Sequence, residues 1–325
     1  MKCLLCSISS KTVINNFPGY LKNTFFKIYY CKKCNTSFID PKKVDEKIYE
    51  KIYSQLERKN NSVKGYSDYN KYAKQIKKTL NPIQFLIEKD NTYFPTYNFV
   101  KDKSKLKILE IGCGYGYLTY ALRKLGHEVI GIDISKTAIE FAKNNFGGKF
   151  YERNIENLNF KENSFDLIIA TELIEHLSDI NLFITKSIKL LKNNGFLLIS
   201  TPNKPKNNNE NYWETDNPPV HVFWLSTDSF KFLGEKYNLN IEFMKNSNPY
   251  YKHNMLAMYL YVKFLSKFSI RDFALSEKEA TQHNSKLHYI RILTDLWIVR
   301  KISNFIYFNI LRENLNLSVL ISKKN

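Results

Sequence analysis

Long apolar runs are missing from this sequence. No stretch reaches the roughly 18 uncharged apolar residues that a membrane-spanning helix needs, so we expect no transmembrane helix. The first residues hold one lysine, a cysteine and no extended apolar segment, which is not the pattern of a secretory signal peptide. These absences predict a cytoplasmic protein.

Acidic residues are scarce relative to basic ones, with 31 Asp and Glu against 49 Lys and Arg and a net charge of +18. The excess is uneven: the net charge is +12 over residues 1–105, −1 over 106–250 and +7 over 251–325. Basic flanks around a neutral centre are compatible with nucleic acid, anionic lipid or a phosphorylated partner. The chain is also rich in lysine throughout, and we favour this compositional bias over dedicated nucleic-acid binding.

Cysteine is rare, but four of the five cysteines fall in two C-x-x-C pairs near the start, Cys3 with Cys6 and Cys31 with Cys34. Four thiolates at this spacing can close tetrahedrally around one structural zinc. A segment of about 40 residues buries too little apolar surface to fold alone, and metal binding would supply that free energy. We therefore predict a zinc ribbon over 1–42, with a strand in FFKIYYC. Disulfides, which suit a cytoplasmic chain poorly, and reactive thiols are the alternatives.

Glycine is also scarce, yet three glycines stand at alternate positions in LKILEIGCGYG, residues 106–116. The apolar run 106–111 predicts a buried strand. Gly112, Gly114 and Gly116 cannot continue that strand, and they let a ligand lie against bare backbone. The apolar residues that follow have helical spacing, so a helix N-terminus would face the glycines and could receive an anionic group.

This E-x-G-x-G-x-G pattern resembles the first motif of class I S-adenosylmethionine-dependent methyltransferases. Tyr117 stands where a nicotinamide-binding fold would prefer its third glycine. A second strand, HEVIGI, ends in Asp133, whose carboxylate can accept both hydroxyls of a ribose. The resemblance implies that S-adenosylmethionine is held by Glu110, Gly112, Gly114, Gly116, Asp133, Ile134, Asn154, Ile155 and Thr171.

From residue 106 onward strands and helices alternate, which predicts an α/β fold with a Rossmann-like, seven-stranded, mostly parallel sheet and helices on both faces. We place strands at 106–111, 128–132, 149–152, 165–170, 195–200, 239–245 and 315–323, the last antiparallel beside the fifth. Helices are expected at 117–125, 135–145, 179–192 and 227–237. Ligands gather at the carboxyl ends of such strands.

The remaining segments complete a predicted domain plan. Residues 43–104 form a helical linker that covers the cofactor, 105–249 and 313–325 form the methyltransferase core, and 250–312 form a helical insertion. The insertion has wide apolar faces with interspersed cations. Packing on the core, dimer formation and peripheral contact with a membrane surface all remain open for it.

The fourth predicted strand is followed by Glu172-x-x-Glu175-His176, a spacing that would put the three side chains on one helical face. In ubiquinone-type O-methyltransferases a similar E-x-x-E-H binds a divalent cation such as Mg²⁺, which would acidify a substrate hydroxyl. A second interpretation makes His176 a general base or a polar wall of the substrate pocket. In a third interpretation, Glu175 and His176 only start a helix and bond locally.

A polar loop, 202–220, ends in PPVHVFWLS, which resembles a family segment that places a histidine at the pocket. We expect His221 to enter the pocket mouth from the side opposite the fourth strand. A neutral imidazole suits a general base near neutral pH. The alternative is a buried structural histidine.

The resemblance as a whole implies methyl transfer from S-adenosylmethionine. We favour O-methylation of a small molecule or a glycan precursor, with His221 or His176 as the base. An RNA methyltransferase and a non-catalytic, cofactor-binding regulatory protein are the alternatives. The acceptor and the oligomeric state cannot be read from the sequence.

Overall fold

The computed structural model describes residues 1–21, 23–40, 47–57, 67–204, 217–245, 247–252, 302 and 315–324. Within these ranges the strands are β1 (Lys11–Pro18), β2 (Phe25–Cys31), β3 (Thr36–Phe38), β4 (Lys107–Ile111), β5 (Glu128–Asp133), β6 (Lys149–Glu152), β7 (Phe165–Thr171), β8 (Leu191–Pro202), β9 (Phe223–Trp224), β10 (Leu239–Phe243) and β11 (Asn316–Lys323). The predicted helical insertion lies almost wholly outside the described residues, as does most of the polar loop at 202–220.

Seven of these strands form the central sheet, in the order β10-β11-β8-β7-β4-β5-β6. The strands β4 to β8 pair in parallel, and β11 is inserted antiparallel between β8 and β10. The predicted seven-stranded, mostly parallel fold is therefore confirmed, including the antiparallel last strand. The order reverses between β4 and β7, so the carboxyl ends of these two strands flank a crevice suited to ligand binding.

The central strands are buried on both faces. In β7, Ile168 packs into one apolar cluster, while Leu167 and Ile169 pack into the other. This alternation follows from the period of two in a strand, and burial of both faces explains the continuous apolar run LIIA, residues 167–170. The sheet is thereby fixed between two cores, and its strand ends form a rigid edge.

Helices cover both faces of the sheet. They are α1 (Lys47–Glu57), α2 (Ser67–Ile76), α3 (Pro82–Lys89), α4 (Phe94–Val100), α5 (Tyr117–Lys124), α6 (Lys136–Phe146), α7 (Ile180–Leu190) and α8 (Thr227–Tyr237). Pro82 is the first residue of α3, and the side chain of Asn81 caps this helix by accepting from the amide of Gln84. None of the helices in the described ranges combines the length and the apolar character needed to cross a membrane.

The N-terminal segment forms a second sheet, in the order β1-β2-β3-β9. The predicted strand in FFKIYYC is β2. The fourth strand, β9, comes from far along the chain and pairs with β3 through Ser37 opposite Trp224 and Phe38 opposite Phe223. Cys3, together with residues of α7 and α8, belongs to the same apolar cluster as one face of the central sheet. The segment thus shares a core with the rest of the protein.

Candidate active site

The glycine-rich turn leaves β4 in a conformation that needs glycine. Gly112 and Gly114 have φ angles of +75° and +49°. A Cβ on Gly112 would lie 2.8 Å from Leu173 Cδ1, and one on Gly114 would lie 2.6 Å from Tyr53 Oη. The amides of Gly112 and Cys113 both donate to the carbonyl of Ile132, at 2.8 and 2.9 Å, which fastens the turn to β5. Bare backbone therefore faces whatever binds here.

Asp133, at the end of β5, shapes this turn. Its Oδ2 accepts from the Gly114 amide at 2.8 Å, and its Oδ1 accepts from the Ser135 amide at 2.9 Å. Burial raises the pKa of the carboxyl above its ordinary value. This bracing of the turn adds to the ribose contact predicted from the sequence. Each carboxylate oxygen has a second lone pair, so hydroxyls of a ribose can still be accepted.

Glu110 is buried at the end of β4, where its Oε2 accepts from the hydroxyl of Thr119 on α5. Burial is the main cause that raises the pKa of Glu110 to about 8, and the nearby Asp133 carboxylate contributes to this rise. The side chain is therefore largely protonated at neutral pH. A cationic ligand beside it would favour the ionised form.

One large cavity opens at the carboxyl ends of the central strands, with a volume of about 1390 Å³ that includes space open to solvent. Its lining contains nearly all of the predicted cofactor residues, namely Glu110, Gly112, Gly114, Asp133, Ile134, Asn154, Ile155 and Thr171. Gly116 is the exception, because it does not line the cavity. A Cβ there would lie 2.5 Å from a ring carbon of Phe150, so this glycine serves the packing of α5 on the sheet.

The helices that precede β4 close the cavity with tyrosines. Tyr49 and Tyr53 from α1 and Tyr69 from α2 line it, together with Tyr93 and Tyr117, whose hydroxyls lie 2.9 Å apart. Glu50 holds α1 in place by accepting from the hydroxyls of Ser135 and Thr137 at the start of α6. Tyr49 and Tyr53 stand four residues apart on α1, which puts both on one face of the helix.

Thr171 supplies an unsatisfied group in the cavity wall. Its hydroxyl is buried and has no hydrogen-bond partner among the described residues. Buried polar groups are almost always paired in folded proteins, so a hydroxyl in this state at a cavity wall is suited to a ligand.

A family model described as a methyltransferase domain matches residues 102–284. The chain belongs to this methyltransferase family.

Curated relatives agree with this assignment. The ubiquinone biosynthesis O-methyltransferase of Pelagibacter ubique is 40% identical over 131 residues, which cover 38% of this chain and 54% of the relative. That of Bartonella tribocorum is 38% identical over 104 residues, covering 30% and 42%. The chain thus spans about half the length of the curated relatives that it matches. A solved S-adenosylmethionine-dependent methyltransferase from Mesorhizobium loti is similar over 71% of this chain and 97% of its own, with 13% identity and a TM-score of 0.45.

In this methyltransferase the predicted arrangement of the E-x-x-E-H stretch is wrong. Residues Ile174–His176 form a single 3₁₀ turn, and Glu172 has a φ of +49°, which breaks the helical repeat. The ligand atoms that come within 4.8 Å of one another belong to Glu175, His176 and His221, without Glu172. Glu175 is buried and accepts from the Thr201 hydroxyl at 2.8 Å.

His176 lines the cavity. Its Nδ1 lies 2.7 Å from the carbonyl oxygen of Val220, and because a carbonyl can only accept, Nδ1 carries the proton. Burial lowers the pKa of His176 to about 4, against the opposing effect of the Val220 and Glu172 carbonyls, which favour the protonated ring. The imidazole is therefore neutral at physiological pH, and Nε2 keeps its lone pair.

His221 does not enter the pocket mouth as predicted. It is 2% exposed, does not line the cavity, and packs edge-on behind His176 with ring centroids 4.8 Å apart. The pairing of β9 with β3 fixes Phe223 and Trp224 in the N-terminal sheet, and His221 lies two residues before β9. Burial, and then the charge of His176, lowers its pKa well below the ordinary value.

The four N-terminal cysteines converge on one point. Cys3 Sγ lies 3.5 Å from Cys34 Sγ, Cys6 Sγ lies 3.4 Å from Cys31 Sγ, and all four sulfurs lie within 4.8 Å of one another. A disulfide would need about 2.05 Å. Zn–S bonds of about 2.3 Å in a tetrahedron put neighbouring sulfurs about 3.8 Å apart. The donor set and its spacing fit a closed zinc site.

Proposed function

We propose that this protein transfers a methyl group from S-adenosylmethionine to a hydroxyl group of a small molecule or glycan. The observation that carries the proposal is the cavity, where backbone of the glycine turn and the Asp133 carboxylate meet at the ends of adjacent parallel strands. This combination accepts an adenosyl group linked to an amino acid. Membership of the methyltransferase family supports it.

Different residues of the cavity would contact different parts of S-adenosylmethionine. Gly112 and Gly114 would face the methionine part, Asp133 the ribose, and Asn154 with Ile155 the adenine. The Thr171 hydroxyl gains a partner, and the tyrosine faces offer cation–π stabilisation. The bound donor supplies an electrophilic methyl group on a positively charged sulfur, so the protein's main tasks are alignment and exclusion of water.

His176 is the base in this proposal. Its Nε2 takes the hydroxyl proton of the acceptor as the oxygen–carbon bond forms and the carbon–sulfur bond breaks. His176 lines the cavity and is neutral, whereas His221 lies behind it, so His221 acts only through the position of His176.

Calorimetry with S-adenosylhomocysteine tests the donor site. The wild type should bind it, and Asp133→Ala should weaken binding by roughly a hundredfold, because both the ribose contact and the brace on the turn are lost. His176→Gln should leave this binding unchanged and lower single-turnover methyl transfer in a labelled-methyl screen of hydroxylated metabolites, sugar nucleotides and RNA. Absence of binding by the wild type would overturn the proposal, and labelled RNA would redirect it.

We also propose that Cys3, Cys6, Cys31 and Cys34 hold one structural zinc ion. Elemental analysis of the purified protein should find one zinc per chain. Cys34→Ser should lose the metal, whereas Cys113→Ser, which changes the remaining cysteine, should keep it. Equal zinc content in both variants would contradict the assignment.

The acceptor is not carried over from the relatives, because the match spans only part of their length. Magnesium at Glu175 and His176 is not part of the proposal, since two imidazoles with one carboxylate suit zinc or iron better than Mg²⁺. A cytoplasmic location and peripheral membrane contact stay predictions.

A further inference from the structure

One backbone carbonyl orients the candidate base. The oxygen of Val220 accepts from Nδ1 of His176 at 2.7 Å and from the hydroxyl of Tyr49 at 3.0 Å. Tyr49 in turn lies edge-on to the His176 ring, with centroids 5.7 Å apart. The position of Val220 therefore sets both the tautomer of His176 and the contact of α1 with the cavity wall.

The segment that carries Val220 is held from both sides. The amide of Val222 donates to the carbonyl of Glu175 at 2.8 Å, and the carbonyl of Val222 accepts from the amide of Ile39 at 3.0 Å. Ile39 directly follows β3, which pairs with β9 just beyond Val222. A continuous path of backbone hydrogen bonds thus runs from the cysteine-bearing sheet to the turn that holds His176.

The second cysteine pair is attached to the same region. The carbonyl of Cys34 accepts from the hydroxyl of Ser229 at 3.0 Å, and the carbonyl of Asn35 accepts from the hydroxyl of Ser226 at 3.0 Å. Ser226 is the N-cap of α8, the helix that follows β9. The start of α8 is therefore fastened to Cys34 and to the residue that follows it.

The first cysteine pair is attached to the neighbouring helices. The carbonyl of Leu4 accepts from the amide group of Asn181 on α7, and the carbonyl of Leu5 accepts from Lys236 on α8, both at 2.7 Å. The N-terminal segment is thus hydrogen-bonded to α7 and α8 and pairs with β9.

We propose that metal at the four-cysteine cluster positions His176, so that the cluster is a positioning element of the active site. The inference rests on the proposed zinc site and on the proposed base. The turn from Cys31 to Cys34 joins β2 to β3, and β3 pairs with the two residues of β9, so metal bound to these cysteines fixes the start of β3 and, through it, β9. Loss of metal frees β3, the Ile39–Val222 bond is lost, and Val220 moves with His176.

Residue-resolved hydrogen exchange on the full chain, before and after zinc is removed by a chelator, tests the path. The amides of Ile39 and Val222 should exchange at least about tenfold faster without metal. Those of Gly112 and Cys113, which donate to the carbonyl of Ile132 at the end of β5 and are not part of this path, should be unchanged. Re-addition of zinc should restore protection. Faster exchange at Ile39 with Val222 still protected would overturn the inference.

A titration of the histidines followed by NMR gives a second test. If the N-terminal segment had only a structural role, removal of zinc would leave the titration of His176 unchanged. In the zinc-loaded protein the pKa of His176 should lie far below its ordinary value. In the zinc-free protein this pKa should rise toward about 6.5, because the imidazole becomes less buried when the cavity wall moves. An unchanged titration would overturn the inference. The affinity for S-adenosylhomocysteine, measured in the same samples, should differ by no more than about twofold between the zinc-loaded and zinc-free proteins. The residues proposed to bind this ligand lie on β4, β5 and the turns after β6 and β7. Loss of that binding in the loaded protein would be a failure of the proposed function instead.

Discussion

Glu110 shows how a single side chain can report on the ligand. It is buried at the base of the cavity and is largely protonated near neutral pH, because burial raises its pKa to about 8. S-adenosylmethionine and S-adenosylhomocysteine both carry an ammonium group, and a cation close to Glu110 stabilises its carboxylate. Binding and ionisation of Glu110 are therefore coupled.

We predict that ligand binding releases a proton from Glu110. At about pH 7.5 a group with a pKa of about 8 holds roughly three quarters of a proton, and most of it should be released when S-adenosylhomocysteine binds. Calorimetry in buffers of different ionisation enthalpy measures this directly. Glu110→Gln keeps the size of the side chain and should bind without proton release; equal release by the variant would assign the proton to another group.

At the scale of elements, the turn between β4 and α5 has two separable requirements. Its backbone needs positive φ, and the space above Gly114 is taken by Tyr53 of α1. Gly126, in the turn between α5 and β5, also has positive φ, at +96°, but has nothing within 4 Å of its Cβ position. The two glycines therefore separate the cost of backbone strain from the cost of filling the site.

We predict that Gly114→Ala and Gly126→Ala each lower the free energy of unfolding by about 1–2 kcal/mol, because both force an L-residue into the left-handed region. Only Gly114→Ala should also weaken S-adenosylhomocysteine binding, by at least about tenfold, since its methyl group displaces Tyr53 from the cavity. Urea unfolding and calorimetry measure the two effects. If both variants bound the ligand equally well, the contact between α1 and the turn would not matter for the site.

At the scale of the whole molecule, buried neutral histidines make the fold sensitive to acid. His176 has a folded-state pKa of about 4, below the ordinary 6.5, so the unfolded chain binds a proton that the folded protein does not. The stability is complete above about pH 6.5 and is lost as the pH falls towards 4. Glu110, with its raised pKa, acts in the opposite direction between its folded and ordinary values.

We predict that His176 accounts for about 2 kcal/mol of lost stability between about pH 7 and about pH 5. The wild type and His176→Gln should therefore differ in how steeply their free energy of unfolding falls over this range, with the variant less sensitive. Denaturant unfolding at both pH values measures the difference. Proton uptake by Glu110 and by the cysteines is common to both proteins and cancels. Parallel pH dependences would show that His176 is not protected from protonation in the fold.

Short-range sequence patterns were sufficient to predict much of the fold of this protein. The apolar run before Gly112 and the two C-x-x-C pairs each act within a few residues, so period and spacing predicted the strands of the central sheet and the cysteine pairs. The resemblance to methyltransferases added the roles of the glycine turn and of Asp133. Because β4 and β5 run parallel, their carboxyl ends lie at the same edge of the sheet and bring their functional residues together.

Tertiary contacts decided the rest, because they join residues far apart in sequence and leave no local periodicity. The pairing of β3 with β9 buried His221 behind His176, the left-handed backbone at Glu172 removed that residue from the cluster around Glu175, and packing against Phe150 gave Gly116 its role. The tyrosines of α1 line the cavity because the bonds of Glu50 hold that helix against the start of α6. Local sequence determined which groups the protein has for its chemistry, and long-range packing determined which of them meet, since only packing fixes distances between separate elements.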